Sequence, residues 1–399
     1  MTYYDTINSE ADFAKKFQRT GAKSWDSLDK SDALHGGASH WSAAHLFASR
    51  VVCAKPQRRL ALFTDGGFLP ASGTGVHTCI NRLIQGSTAG FRDNNEPRIV
   101  QQHQPDSLGY VWAALGRVLQ AEPAGIAPDR PTRARQPPPE HGIYSSSTSM
   151  RVGSSSPASS TKESVGESAP SESSKASLYF EKPSSDPLED LTVRLASCFI
   201  RCVINYAQPI DTTYTYPINF RDERVMHRFE YAPDKWIRAI DDGGLQAYDG
   251  QSFLQVALLE AKRSFQKFTL QGMPTVADET LGQLVGEALA FRSATKTEDI
   301  NEDNCIIILA VTQYVKFFHF HITRHFLDEL KRASPATDYL RVYSTEWFDL
   351  NMRDDRKEVV KHLLAILSWA GEQRRGRGED ESMDSVDDGG DDGDEFMED

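Results

Sequence analysis

Hydrophobic and polar positions follow the periods of helices and strands most clearly between residues 187 and 370. In LEDLTVRLASCFIRCVINYA, Leu188, Leu191, Leu195, Cys198, Phe199, Cys202 and Val203 recur at three- and four-residue spacing, the stripe of an amphipathic helix. Ser184, Ser185 and Asp186 precede it as N-cap candidates, and Pro187 suits its first turn. Strand-like segments follow at Val225–Tyr231 and Trp236–Asp241, separated by the turn signal APDK. SFLQVALLEAK is apolar on both faces up to Glu260, as a central strand covered on both sides should be. Asp278 is placed to cap the helix ETLGQLVGEALAFRS, which aligns Leu281, Leu284, Val285, Ala288 and Leu289. CIIILAV reads as another buried strand, Tyr314–Ile322 as a further one and Glu358–Trp369 as a last helix. The order α-β-β-β-α-β-β predicts an α/β or α+β domain with a mixed sheet over residues 187–370.

Residues 1–120 show no comparable long pattern. A strand is expected at Arg59–Phe63 and short helices at Ser42–Cys53 and Val111–Leu119, so this part reads as a weakly folded or incomplete region. Residues 121–185 hold 17 Ser and 9 Pro in 65 positions, too little apolar surface to offset their ordering entropy, and are expected to be a disordered linker. The formal charge of −13 is local: twelve acidic residues lie in Glu379–Asp399, and without them 45 acidic residues face 44 basic ones. Bulk charge therefore gives no argument for nucleic acid. Residues 371–399 read as a basic patch, Arg374, Arg375 and Arg377, followed by a disordered acidic tail that solvates the chain or binds basic proteins. The longest apolar run is the seven residues Cys305–Val311, against roughly 20 for a bilayer crossing. The start MTYYDTINSEADF has neither a basic nor an apolar leader segment, so no membrane partner and a cytosolic or nuclear location are expected. Five cysteines without a CxxC pair suggest reduced thiols.

Chemistry concentrates at Asp241-Asp242-Gly243-Gly244 and, 18 residues after Asp242, Glu260-Ala261-Lys262 at the end of the apolar strand. On a strand, Glu260 and Lys262 share one face. An aspartate from a neighbouring strand would complete a two-carboxylate oxygen site suited to Mg²⁺. The bland alternative is a solvated Glu and Lys at a strand end, with Asp-Asp-Gly-Gly as a hairpin turn.

These residues in this order resemble the PD-(D/E)XK nuclease superfamily, over about Pro187–Ile322. Its core is α-β-β-β-α-β, with an acidic residue on the second core strand and (D/E)-x-K on the third. The resemblance implies a restriction-endonuclease-like fold with a mixed sheet, flanked here by disordered segments. It implies that Asp242 or Asp241, together with Glu260, binds Mg²⁺ or Mn²⁺, that Lys262 activates the attacking water, and that Gln283 on the following helix assists. Glu189 matches an acidic residue of the first helix more weakly. No proline precedes the first acidic residue, a departure from the pattern. DNA or RNA would be the partner, and a catalytically silent module of the same fold, binding nucleic acid or protein, is the alternative.

Arg221, Arg224 and Arg228, and Lys262, Arg263 and Lys267, are the local basic clusters near this motif. Glu329-Leu330-Lys331 and Asp355-Arg356-Lys357 also match (D/E)-x-K but sit in helical surroundings. His319 and His321 would share a strand face near His325; His35, His40 and His45 suit a solvated loop. Gly73 and Gly75 mark a turn without the Gly-Lys-Ser/Thr of a phosphate loop. Cys198 and Cys202, one helical turn apart, suit a buried apolar face.

Overall fold

The computed structural model describes residues 1–31, 34, 36–70, 77–87, 90–120, 187–209, 217–248, 253–294, 303–331 and 338–383. The first part of the chain supplies α1 (Tyr3–Thr6), α2 (Glu10–Thr20), α3 (Trp25–Lys30), β1 (Gly36–Gly37), α4 (Ala43–Ala48) and β2 (Val51–Cys53). It continues with α5 (Ala61–Asp65), α6 (Thr78–Gln85), α7 (Glu96–Gln102) and α8 (Asp106–Gln120). From residue 187 come α9 (Pro187–Ala207), β3 (Ile218–Arg221), β4 (Met226–Ala232), β5 (Lys235–Ile240), β6 (Gly243–Tyr248) and β7 (Phe253–Lys262). The short pair β8 (Lys267–Phe268) and β9 (Pro274–Thr275) leads to α10 (Asp278–Ala294), β10 (Asn304–Val311) and β11 (Tyr314–His321). The last elements are α11 (Arg324–Lys331), β12 (Leu340–Ser344), β13 (Phe348–Asp349) and α12 (Arg353–Met383).

The main sheet runs β2-β12-β11-β10-β7-β6-β3, with β13 attached to β11. It is mixed: β7 pairs β10 in parallel, as β2 does β12, and the remaining pairs are antiparallel. The protein is thus a mixed α/β structure. Its central strands are apolar on both faces because both are covered. Val256, Ala257, Leu259, Ile306 and Ile308 pack in one core with residues of α6, α8, α9 and α12. Leu258, Ile307 and Leu309 pack in a second core with α10 and residues of α1–α4.

Three expectations change. Val225–Tyr231 and Trp236–Asp241 are strands, β4 and β5, but they form a separate small sheet with β1. Their alternating burial shows why: β4 buries one face only, with Phe229 and Tyr231 inward and Met226 outward. The main-sheet positions belong to Ile218–Arg221, too short to show a period, and to Gly243–Tyr248, which starts on the glycines that look like a turn.

The second change concerns residues 1–120, which the described fold does not set apart. β2 extends the main sheet beside β12, the Tyr3 amide donates to Asp278 Oδ1 at 2.6 Å, and Tyr4 Oη meets Ser344 Oγ at 2.5 Å. Asp278 thus stands as the first residue of α10 and turns its carboxylate to the chain's N-terminal helix. α10 is buried along Thr280–Phe291 because the sheet covers one side and the N-terminal segment the other. A Cβ on Gly286 would lie 2.5 Å from Ala38 Cβ, and one on Gly282 would lie 2.9 Å from the Trp41 carbonyl carbon.

The third change is local. The expected strand at Arg59–Phe63 gives way to α5, Ser42–Cys53 divides into α4 and β2, and Val111–Leu119 lies within α8. The last helix, expected over Glu358–Trp369, runs from Arg353 to Met383 and carries the backbone of the Arg374–Arg377 patch. The Ser/Pro-rich linker, His35, Gly73, Gly75 and residues 384–399 lie outside the described residues. Among the described residues no helix is long and apolar enough to cross a membrane.

Candidate active site at the start of β6 and the end of β7

The two neighbouring aspartates part company at the entry to β6. Asp241 is fully buried and its oxygens are taken. Oδ1 accepts from Arg221 Nη1 at 3.0 Å, from the Val225 amide at 3.1 Å and from the Gly243 amide at 3.2 Å. Oδ2 accepts from Arg221 Nη2 at 2.6 Å and from His227 Nε2 at 3.0 Å. Five donors leave no lone pair for a cation, so the expectation that Asp241 could be the metal ligand is set aside. Arg221, one of the basic residues clustered near the motif in the sequence, is likewise an internal ion-pair partner with 3 % side-chain exposure. Together they tie β3, β4 and β6 at one point.

Asp242 is thereby aimed elsewhere. Its amide donates to the Leu259 carbonyl at 2.9 Å, its Oδ2 accepts from the Ala261 amide at 3.0 Å, and its Oδ1 lies 3.2 Å from Arg224 Nη2. The glycines that follow permit this approach. Gly243 has φ 141°, and a Cβ there would stand 2.9 Å from the Arg221 carbonyl. A Cβ on Gly244 would come within 2.4 Å of the Ala257 carbonyl oxygen. The Asp-Asp-Gly-Gly segment is therefore the tightly packed start of a central strand, and the hairpin-turn alternative does not hold.

Glu260 and Lys262 share the face of β7 that meets α10, as their spacing of two requires. Lys262 Nζ donates to Glu260 Oε1 at 2.6 Å and to Gln283 Oε1 at 2.8 Å. Gln283 Nε2 donates to Glu260 Oε1 at 2.7 Å and to Glu287 Oε1 at 2.8 Å. The lysine on its oxygen and the carboxylates on its nitrogen fix the amide's orientation. Gln283 and Glu287, one helical turn apart, thus meet one strand. Glu287 was not singled out for a role in the sequence; its i+4 relation to Gln283 on an expected helix was the available signal.

The cluster is rich in carboxylates and deeply buried. Burial raises the carboxyl of Glu260 to about 7, with the charge of Asp242 adding to the rise against the opposing pull of Lys262. Burial, then the charge of Glu260, holds Glu287 well above the usual carboxylate range. Burial also raises Asp242, and Glu189 in the first turn of α9 contributes in the same direction. For Lys262 burial alone would favour the neutral amine, but the neighbouring Glu260 overrides it and raises the group. Oε2 of Glu260 and Oε2 of Glu287 are buried and accept from no other residue, and the two carboxyl groups stand in hydrogen-bonding reach of each other, a contact that needs a proton on one of them. A divalent cation is an alternative to protons for neutralising such buried carboxylates. Asp242, whose charge acts on Glu260, and Glu260 itself are the residues that could hold it.

Other candidates fall elsewhere. His319 is buried, hydrogen-bonded through Nε2 to Asn304 at 2.7 Å and stacked on Tyr343, and burial lowers it to about 4. It is a neutral core histidine. His325 does approach Glu329 and Asp338, the group of potential ligands found within 4.8 Å of one another among the described residues, at an exposed surface. His45 is buried against Trp41 in α4 and caps it through the Ser42 amide, so the solvated-loop reading does not extend to it. Cys202 is buried as expected, and its Sγ lies 3.7 Å from that of Cys79 on α6, a contact across 123 residues that no local spacing announces. Comparison of the chain with family models, curated proteins and solved structures finds no match.

Proposed function

We propose that the chain is a Mg²⁺- or Mn²⁺-dependent phosphodiesterase acting on DNA or RNA, built on the PD-(D/E)XK pattern. The observation that carries this reading is the hydrogen-bonded set of Glu260, Lys262, Gln283 and Glu287, with the carboxylate of Asp242 fixed on the Ala261 amide between Glu260 and Lys262. The element order supports it: α9, β3, β6, β7, α10 and β10 follow as α-β-β-β-α-β once the separate β4–β5 and β8–β9 pairs are set apart. Asp242 then opens the second of these strands and Glu260 and Lys262 end the third, as the resemblance asks.

Each residue has a distinct task in this reading. Asp242 and Glu260 hold the cation, which when bound polarises the phosphate and offsets the charge of the attacking oxygen. Lys262 is kept in place by Glu260 and Gln283, where its ammonium orients the attacking water and stabilises charge developing on the phosphate. Gln283 sets the rotamers of both. A second reading, a silent binding module, draws on the depth of the cluster, since Glu260 is 0 % and Lys262 4 % exposed.

Incubation of the full-length protein with single- and double-stranded DNA and RNA, in Mg²⁺, Mn²⁺ or EDTA, tests the proposal. The expected result is cutting that needs the metal and falls by roughly a hundredfold or more in Glu260→Gln and Lys262→Ala variants with unchanged circular dichroism. A folded wild type that cuts none of these substrates in either metal would move the weight to the binding module.

A further inference from the structure

Arg224 is the cation at the rim of the site. It follows β3 and precedes β4, and its Nη2 lies 3.2 Å from Asp242 Oδ1 and 4.0 Å from Asp190 Oδ1. Its side chain keeps 32 % exposure, whereas those of Asp242, Glu260 and Lys262 keep 1 %, 0 % and 5 %. Asp190, on the first turn of α9, is 81 % exposed. One guanidinium nitrogen therefore sits between a buried acceptor and a solvated one.

The position on Asp242 is informative. Oδ2 accepts from the Ala261 amide, and Oδ1 is the oxygen that faces the positive charge. In this structure Arg224 supplies that charge. A divalent cation held by Asp242 and Glu260 would compete for the same oxygen, and a guanidinium released from it is suited by its planar fork to a phosphate.

We propose that Arg224 competes with the divalent cation for Asp242 and, when the cation binds, turns outward past Asp190 to hold a phosphate of the nucleic acid. The inference rests on the nuclease reading and deepens it: Arg224 is a substrate-positioning residue whose release couples metal binding to phosphate binding. Linkage makes the coupling reciprocal, so nucleic acid should tighten the metal and the metal should tighten nucleic acid.

Removing Arg224 then has effects of opposite sign. Titration calorimetry of the full-length protein with Mn²⁺ alone should show Arg224→Ala and Arg224→Gln binding the metal roughly two- to fivefold tighter than wild type, the scale of a half-exposed ion pair. Arg224→Lys should fall between. In cleavage assays the same variants should raise KM for the oligonucleotide more than they lower kcat. Urea unfolding of each variant identifies any that fail to fold, and the two neutral replacements serve as mutual checks. Weaker or unchanged Mn²⁺ binding in both folded neutral variants would overturn the inference, provided Asp242→Asn abolishes binding in parallel. If Asp242→Asn leaves Mn²⁺ binding untouched, the carboxylate site itself falls, and the role of Arg224 with it.

Discussion

Asp241 and Asp242 are adjacent in sequence and opposite in surroundings, and stability should tell them apart. Asp241→Asn leaves the buried Arg221 without its countercharge, a loss expected at about 3–5 kcal/mol in urea unfolding. Asp242→Asn removes a carboxylate that burial and neighbouring acids already disfavour, and should keep or raise the unfolding free energy. A sequence reading leaves the two equivalent because the distinction lies in Arg221, His227 and Arg224, contacts set by strand pairing rather than by local pattern. Lys316 makes a second residue-scale test. It is buried, donates to the Thr345 carbonyl and lies 5.2 Å from the ring centre of Tyr4 and 5.4 Å from that of Trp347. Burial lowers it from 10.5 to about 7. Between those values the unfolded chain holds a proton that the folded chain does not, so stability rises with pH across that window and is flat in this group below it. From pH 7 to pH 9 this group should add up to about 1.4 kcal/mol per pH unit. Lys316→Met should lose that part of the slope, as urea midpoints at the two pH values would show.

Long elements were the legible ones. The stripes of α9 and α10 and the two-faced apolar runs of β7 and β10 are visible in the sequence because each is long enough to show its period. β3 is four residues, and β6 begins with two glycines whose reason is close packing, so both escape a pattern search. β4 and β5 are recognisable as strands, but nothing local reveals that they form a separate sheet. The glycines on α10 test how the layers meet. Gly286→Leu would drive a side chain into Ala38 and should cost about 1–3 kcal/mol or more, with faster amide exchange along α10 and β2. Retention of wild-type stability and exchange in that variant would contradict the packing of α10 beneath the N-terminal segment.

At the scale of the molecule, the first 120 residues belong to the fold that presents the site. Apart from α2 and α8, their helices are too short to show long periods, which is why the region reads as incomplete when taken alone. Val51, Leu46, Phe47 and Trp41 nevertheless belong to the same buried core as Leu258 and α10. A fragment of residues 187–383 would expose that surface, and should bind hydrophobic dyes and aggregate. Adding residues 1–120 in trans should restore a cooperative melt, and a stable, dye-free fragment would contradict this. The candidate site was legible further than the sheet around it. Glu260 and Lys262 converge as their spacing suggests and Gln283 joins them as the resemblance implies, while the difference between Asp241 and Asp242, the part of Glu287 and the pairing of Arg224 needed the tertiary contacts. The most direct measurement is the cleavage rate of full-length wild type beside Asp242→Asn, on DNA and RNA in Mn²⁺, at matched thermal stability. The account predicts metal-dependent cutting by the wild type and a loss of roughly a hundredfold or more in the variant. Equal cutting by the two folded proteins, or none by the metal-supplied wild type, would contradict it.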